Sequence, residues 1–233
     1  MKRNRGGERD LDHIIMAAIR GLDRASLEYP QVRAGLLLMM DRTFTERQNA
    51  IIVEKAIRYA PRGIVGVDIA GPRPDGAGPY PYRDLLPLIE QAREAGLGVT
   101  IHVGEEGGEY GIAEIREVVS TLRPDRIGHG ILAAQDPKLM DQLREAGIVL
   151  EICPTSNLLT KALESEVAVR DTFRAFTEHD VPFTIATDGP EMMRTHLRDE
   201  FELLLKIGAL DEDHLSEANR RGHESTFVRL TAG

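Results

Sequence analysis

The 233-residue chain holds a single cysteine, Cys153, and no tryptophan. One thiol excludes an internal disulfide and any cysteine-rich metal site within one chain, and it suits a reducing compartment. Basic residues are also short. With 29 Lys and Arg against 38 Asp and Glu, the net charge of -9 opposes a surface that tracks nucleic-acid phosphates. The one basic cluster, Lys2, Arg3 and Arg5, lies at a terminus, where charge is ordinarily just solvated. No apolar run reaches the ~18 residues of a membrane span. The first residues are polar with no apolar signal core, so the expectation is a soluble, cytoplasmic protein with neither membrane nor nucleic-acid partners. Aliphatic content is ample: at 42% hydrophobic residues, the chain can bury the core of one large domain over residues 1–233.

Apolar runs of strand length alternate with amphipathic stretches of helical period, the pattern of parallel α/β architecture. The spacing predicts helices over residues 11–27, 45–59, 82–95, 112–122, 137–146, 168–178, 193–207 and 215–230. Strands are predicted over 32–40, 64–69, 98–103, 126–128, 148–153 and 183–187. Residues 71–81 are too rich in Gly and Pro for regular structure and read as a long loop after a strand. The rhythm predicts a barrel of (β/α)8 TIM type with about six strands where a closed barrel has eight.

Four segments each end such a run in residues suited to metal-assisted hydrolysis: His102-Val-Gly-Glu105, Arg126-Ile-Gly-His129-Gly130, Pro154-Thr-Ser-Asn157 and Thr187-Asp188-Gly189-Pro190. A (β/α) barrel assembles its active site from the carboxyl ends of separate strands. His102 alone reads more readily as a hydrogen-bonded strand-end histidine than as a metal ligand. Glu105, three residues on, adds a carboxyl that can move protons beside a metal without ligating it, although a solvated loop carboxylate is its plain alternative. His129 sits between glycines that permit close backbone approach, and it can be a buried turn histidine or a group that orients an attacking water. Asp188 offers a hard anionic oxygen to a divalent metal, or simply forms an Asp-Gly turn.

Taken together, HVGEEGGEYG, RIGHG, LEICPTSNLLT and TIATDGPEMMRTHLRDEF, with GIVGVDIAG upstream, resemble the adenosine deaminase family of amidohydrolase-like metal-dependent hydrolases. They occur in the family's order and span most of residues 60–207. The resemblance implies a (β/α)8 barrel that binds Zn2+ and deaminates a purine nucleoside. It implies that His102 and Asp188 are zinc ligands, that Glu105 protonates the purine ring and that His129 assists the attacking hydroxide. It also implies that Gly71 contacts the purine through its backbone and that Gly189 lines the substrate. The other zinc deaminase class uses a Pro-Cys-x-x-Cys motif, which one cysteine cannot supply.

The pattern departs from the family at three places. The family's His-x-His pair, source of two further ligands, occurs at none of the seven histidines. Gly189 stands where adenosine-selective members carry a second Asp, which opens the substrate to related adenine nucleosides such as aminodeoxyfutalosine. The proline-rich loop after Gly71 replaces a more acidic one. The expectation is a barrel without its first two strands, whose open edges invite association into a homo-oligomer. The alternative to a deaminase is a catalytically inactive truncated module that binds purines or other subunits.

Overall fold

The structure is a computed structural model that describes residues 8–72 and 79–228. Alternating apolar and amphipathic segments fold as alternating strands and helices. The order is α1 (Glu8–Glu28), β1 (Leu36–Asp41), α2 (Glu46–Tyr59), β2 (Ile64–Ala70), α3 (Leu86–Glu94), β3 (Gly98–Val103), α4 (Gly108–Glu117), β4 (Arg126–His129) and α5 (Pro137–Ala146). There follow β5 (Val149–Ile152), α6 (Pro154–Leu159), α7 (Glu166–Glu178), β6 (Phe183–Ile185), α8 (Pro190–Met193), α9 (Leu197–Lys206) and α10 (Glu212–Glu224).

Local chemistry sets the helix ends. Thr45 and Gln48 form a reciprocal capping box on α2: the Gln48 N–H donates to Thr45 Oγ1 at 3.3 Å, and the Thr45 N–H donates to Gln48 Oε1 at 3.0 Å. α5 starts with Asp136 as cap and Pro137 in its first turn, and it stops at Gly147, whose φ of +66° ends the helix in the left-handed region. Ser165 and Asp211 cap α7 and α10 through side-chain oxygens.

Several predicted boundaries move. The strand expected over 32–40 begins only at Leu36, because the Val32 N–H is committed to a turn with the Tyr29 carbonyl at 2.9 Å. The helix expected over 82–95 opens as a 3-10 turn at Tyr82–Leu85, and the one expected over 112–122 starts four residues earlier and ends in a π-type turn at Val118–Leu122. The helix expected over 193–207 is broken: Arg194 takes φ +51°, and α9 starts afresh where the Asp199 carboxylate accepts the His196 N–H at 2.8 Å. α10 ends at Glu224, short of the expected 230. Residues 73–78 of the predicted loop, and 229–230, lie outside the described residues.

The described residues divide into two compact units, one formed by 8–72, 84–99 and 227–228 and the other by 79–83 and 100–226. In the first, β1 and β2 pair in parallel, with Leu38 opposite Val67 and Met40 opposite Ile69. All of β2 except Val65 is buried, the near-continuous apolar run of a parallel strand covered on both faces. Phe227 packs where β2 and β3 carry Gly66 and Gly98: a Cβ on Gly98 would lie 2.3 Å from its ring. α1 is fastened to α2 by Asp12, which meets the buried Lys55 ammonium at 2.8 Å and the Tyr59 hydroxyl at 3.0 Å.

In the second unit β3, β4, β5 and β6 pair successively, each parallel to the next. Ile101, Ile127, Leu150 and Ile152 are fully buried on these strands. Phe173 of α7 stacks edge-on against Phe183 of β6 with centroids 5.3 Å apart, and α10 also packs on β6. Among the described residues no helix is long and apolar enough to cross a membrane.

The hydrogen bond from Lys55 is the main influence holding the Asp12 carboxyl below its usual range, against an opposing effect of burial. Because the folded-state value is the lower one, the contact stabilises above the ordinary carboxylate range and is lost as pH falls through the folded value. Solvent reaches Asp12, so Asp12→Ala is expected to cost only about 1–2 kcal/mol at pH 7. Urea melts should show the gap to wild type narrowing as pH falls below the ordinary carboxylate range.

Candidate active site at the strand ends

The pairing of β3 with β4 sets His102 opposite Gly128 and Val103 opposite His129, so both imidazoles leave neighbouring strand ends. Their rings meet edge to face with centroids 5.4 Å apart. Gly128 is what makes room: a Cβ there would lie 2.8 Å from the His102 ring. His129 is only 2% exposed, and its backbone sits in the left-handed region at φ +60°, with Gly130 following at +67°. Asp188, beyond β6, is also left-handed at φ +58°. A non-glycine residue held there costs on the order of 1–2 kcal/mol, tolerated where surrounding contacts fix it.

Those contacts are visible. Glu105 Oε2 lies 3.5 Å from His129 Nε2, and Glu105 Oε1 accepts the Thr160 hydroxyl at 3.2 Å. On the far side of the ring, the Asn157 amide nitrogen donates to His129 Nδ1 at 2.9 Å, which puts the ring proton on Nε2, facing Glu105. The Ser156 hydroxyl donates to Asp188 Oδ2 at 2.7 Å. Ser156 and Asn157 both come from α6, whose first turn begins at Pro154, a residue with no N–H to leave unsatisfied.

Burial is the first cause that pushes the His129 pKa below the ordinary histidine value, and a charge on His102 acts the same way. The Glu105 and Asp188 carboxylates oppose it. Burial therefore outweighs two nearby anions. Cys153, at the foot of α6, is buried, and desolvation first, then the charges of Asp188, Glu151 and Glu200, push its thiol far above the usual range.

His102, Glu105 and His129 thus gather in one place, and Asp188 joins them through α6 and through its field on His129. Gly189 follows Asp188; a Cβ on it would meet the Met192 side chain, whose methyl lies 2.8 Å away. Gly71 belongs to the other unit, where it follows β2 at φ +93°, its carbonyl accepts from the Arg42 guanidinium, and a Cβ would meet the Asp41 carboxyl at 2.9 Å. Ser156, Asn157 and Thr160 were not given individual roles from the sequence, although the LEICPTSNLLT segment that contains all three was singled out. His102 and Asp188 offer donor types that suit zinc. Among the described residues, however, no group of three or more His, Cys, Asp or Glu gathers to hold a metal, whereas catalytic zinc usually takes three protein ligands. The donor chemistry fits and the number falls short.

Parallel strands, intervening helices and polar residues at the strand ends define the class as an α/β barrel protein with a strand-end site. The family model for adenosine deaminase matches residues 4–231, and the chain belongs to the adenosine deaminase family. It is 40% identical over 201 residues to the aminodeoxyfutalosine deaminase of Acidothermus cellulolyticus, covering 78% of this chain and 55% of that one. It is 33% identical over 219 residues to the adenosine deaminase of Klebsiella pneumoniae, covering 94% and 62%. In fold it resembles the adenine deaminase of Arthrobacter aurescens, with a TM-score of 0.76, 22% identity and coverage of 90% and 61%. The fold is thus of the (β/α)8 TIM-barrel type, represented by six strands among the described residues. The chain spans roughly half the length of the first curated relatives it matches.

Gly128→Ala is expected to displace the His102 ring, lowering stability by about 1–3 kcal/mol and shifting the His102 ring signals in a histidine-selective NMR spectrum. His129 should titrate below the ordinary value of about 6.5 in the same experiment. With the folded value the lower one, the unfolded chain takes up this proton first, so His129 makes stability fall as pH drops through that window.

Proposed function

We propose that the protein hydrolytically deaminates adenosine or a related adenine nucleoside, aminodeoxyfutalosine among them, with release of ammonia. The observation that carries this reading is the Glu105 carboxylate 3.5 Å from the Nε2 of a buried His129 whose other nitrogen is held by Asn157. Glu105 is assigned the proton donated to the purine ring, since a partly exposed carboxyl at a strand end can exchange protons with both water and substrate. His129, kept neutral by burial, is assigned the orientation of the attacking water. Zn2+ is the cofactor of this reading, with His102 and Asp188 among its ligands, and when bound it supplies a water acidic enough to attack near neutral pH. Ser156 holds the Asp188 carboxylate in a fixed direction.

Gly189 is assigned to the purine by its backbone. A glycine at 189 offers the substrate no carboxylate, which favours breadth among adenine nucleosides over strict selection of one. The reading places the protein in the cytoplasm, acting on a small-molecule purine nucleoside, with open strand edges available for a homo-oligomer. A second reading, a purine-binding module without turnover, is favoured by one observation: only two zinc-type donors are assigned among the described residues.

The test is to purify the chain, measure zinc per protomer, and assay ammonia from adenosine and aminodeoxyfutalosine. Glu105→Gln is expected to lower turnover by about 10²–10⁴-fold with zinc content unchanged, and His102→Ala to lower both. Nucleoside binding without ammonia would select the second reading. Neither binding nor ammonia would overturn both.

A further inference from the structure

We propose that Glu200 is a positioning residue of the strand-end site, holding the first turn of α6 so that Ser156 meets Asp188 and Asn157 meets His129. Glu200 lies on α9 and is fully buried. One carboxylate oxygen accepts the Thr155 backbone N–H at 2.9 Å, and the other accepts the buried Thr195 hydroxyl at 2.7 Å. A carboxyl group taken out of water is expensive, and an apolar side chain of similar volume would serve packing as well. The purpose of the carboxyl lies in what it holds.

It holds both sides of the Ser156–Asp188 contact. Thr155 precedes Ser156, and its N–H is one of those at a helix start that the helix cannot satisfy internally. Thr195 sits in the turn between α8 and α9, a few residues after Asp188. Three consecutive residues of α6 therefore reach three different elements: Thr155 to Glu200, Ser156 to Asp188, and Asn157 to His129. The Asn157 amide oxygen is buried and has no hydrogen-bond partner among the described residues, so the amide is secured by its nitrogen contact to the ring. A half-turn of that amide would present oxygen to the ring and move the ring proton from Nε2 to Nδ1. The contact that Asn157 makes with His129 Nδ1 thus depends on where α6 is placed, and α6 is placed by Glu200.

The proposal rests on reading Asp188 and His129 as working residues of the site, yet it is tested by spectra of the chain and not by turnover. Absent deaminase activity would count against the function reading alone. In 15N-labelled protein, Glu200→Leu is expected to speed exchange of the Thr155 amide by about tenfold or more and to move the His129 ring nitrogens toward their positions in Asn157→Ala. Glu200→Gln should restore both signals, because its carbonyl can accept the Thr155 N–H while its amide donates to Thr195 Oγ1. Leu143→Ala, which trims the buried core under α5, should lower stability without moving the His129 ring. Wild-type His129 signals and Thr155 protection in folded Glu200→Leu would overturn the proposal, as would an equal shift in Leu143→Ala. Should Glu200→Leu not fold, Thr195→Val removes one of the two bonds: a smaller shift in the same direction supports the proposal, and unchanged signals overturn it.

Discussion

Parallel register between β3 and β4 is the constraint on which the site depends. Because His102 stands opposite Gly128 and Val103 opposite His129, two imidazoles emerge one residue apart in height at neighbouring strand ends. The same register leaves the strand interiors to Ile101 and Ile127, so the hydrophobic core and the polar site are consecutive layers of one set of strands. A one-residue slip would turn His102 toward the helices and carry an apolar side chain to the site. Gly128 makes that slip unfavourable in a further way, since it is the one residue of β4 with room beneath the His102 ring.

Around this register the site is held by hydrogen bonds from outside the strands. His129 and Asp188 both occupy left-handed backbone conformations, and both receive a donor from the short helix α6. Strain and support are therefore paired at the same two residues. The electrostatic consequence is that the buried imidazole stays neutral beside two carboxylates, since desolvation exceeds their attraction. A neutral ring with one nitrogen occupied can direct a neighbour's hydrogen bonding without itself carrying charge.

The strands and their polar ends were legible in the sequence because a His or Asp closing a continuous apolar run breaks a strong pattern. β3 falls at its predicted boundaries, and β4 exceeds them only by His129. α6 was not legible: Pro154-Thr-Ser-Asn157 has the composition of a turn, and six residues are too few to show a helical period. The contacts of Ser156 with Asp188 and of Asn157 with His129 join residues about thirty apart, which local pattern does not encode. Glu200 reads as one acid among several on an amphipathic helix, and only tertiary packing reveals that it is buried. The break at Arg194 was missed for a related reason, since an amphipathic period continues across it while the backbone does not.

Cys153 carries a consequence of a different kind. Its thiol lies under α6, buried and disfavoured as a thiolate by the surrounding carboxylates. The thiolate is the nucleophile toward alkylating reagents, so modification must await a local opening that exposes Cys153. As the sole thiol in the chain, it makes labelling kinetics a measure of how often the floor of the site breathes, with no engineered probe and no background from other positions.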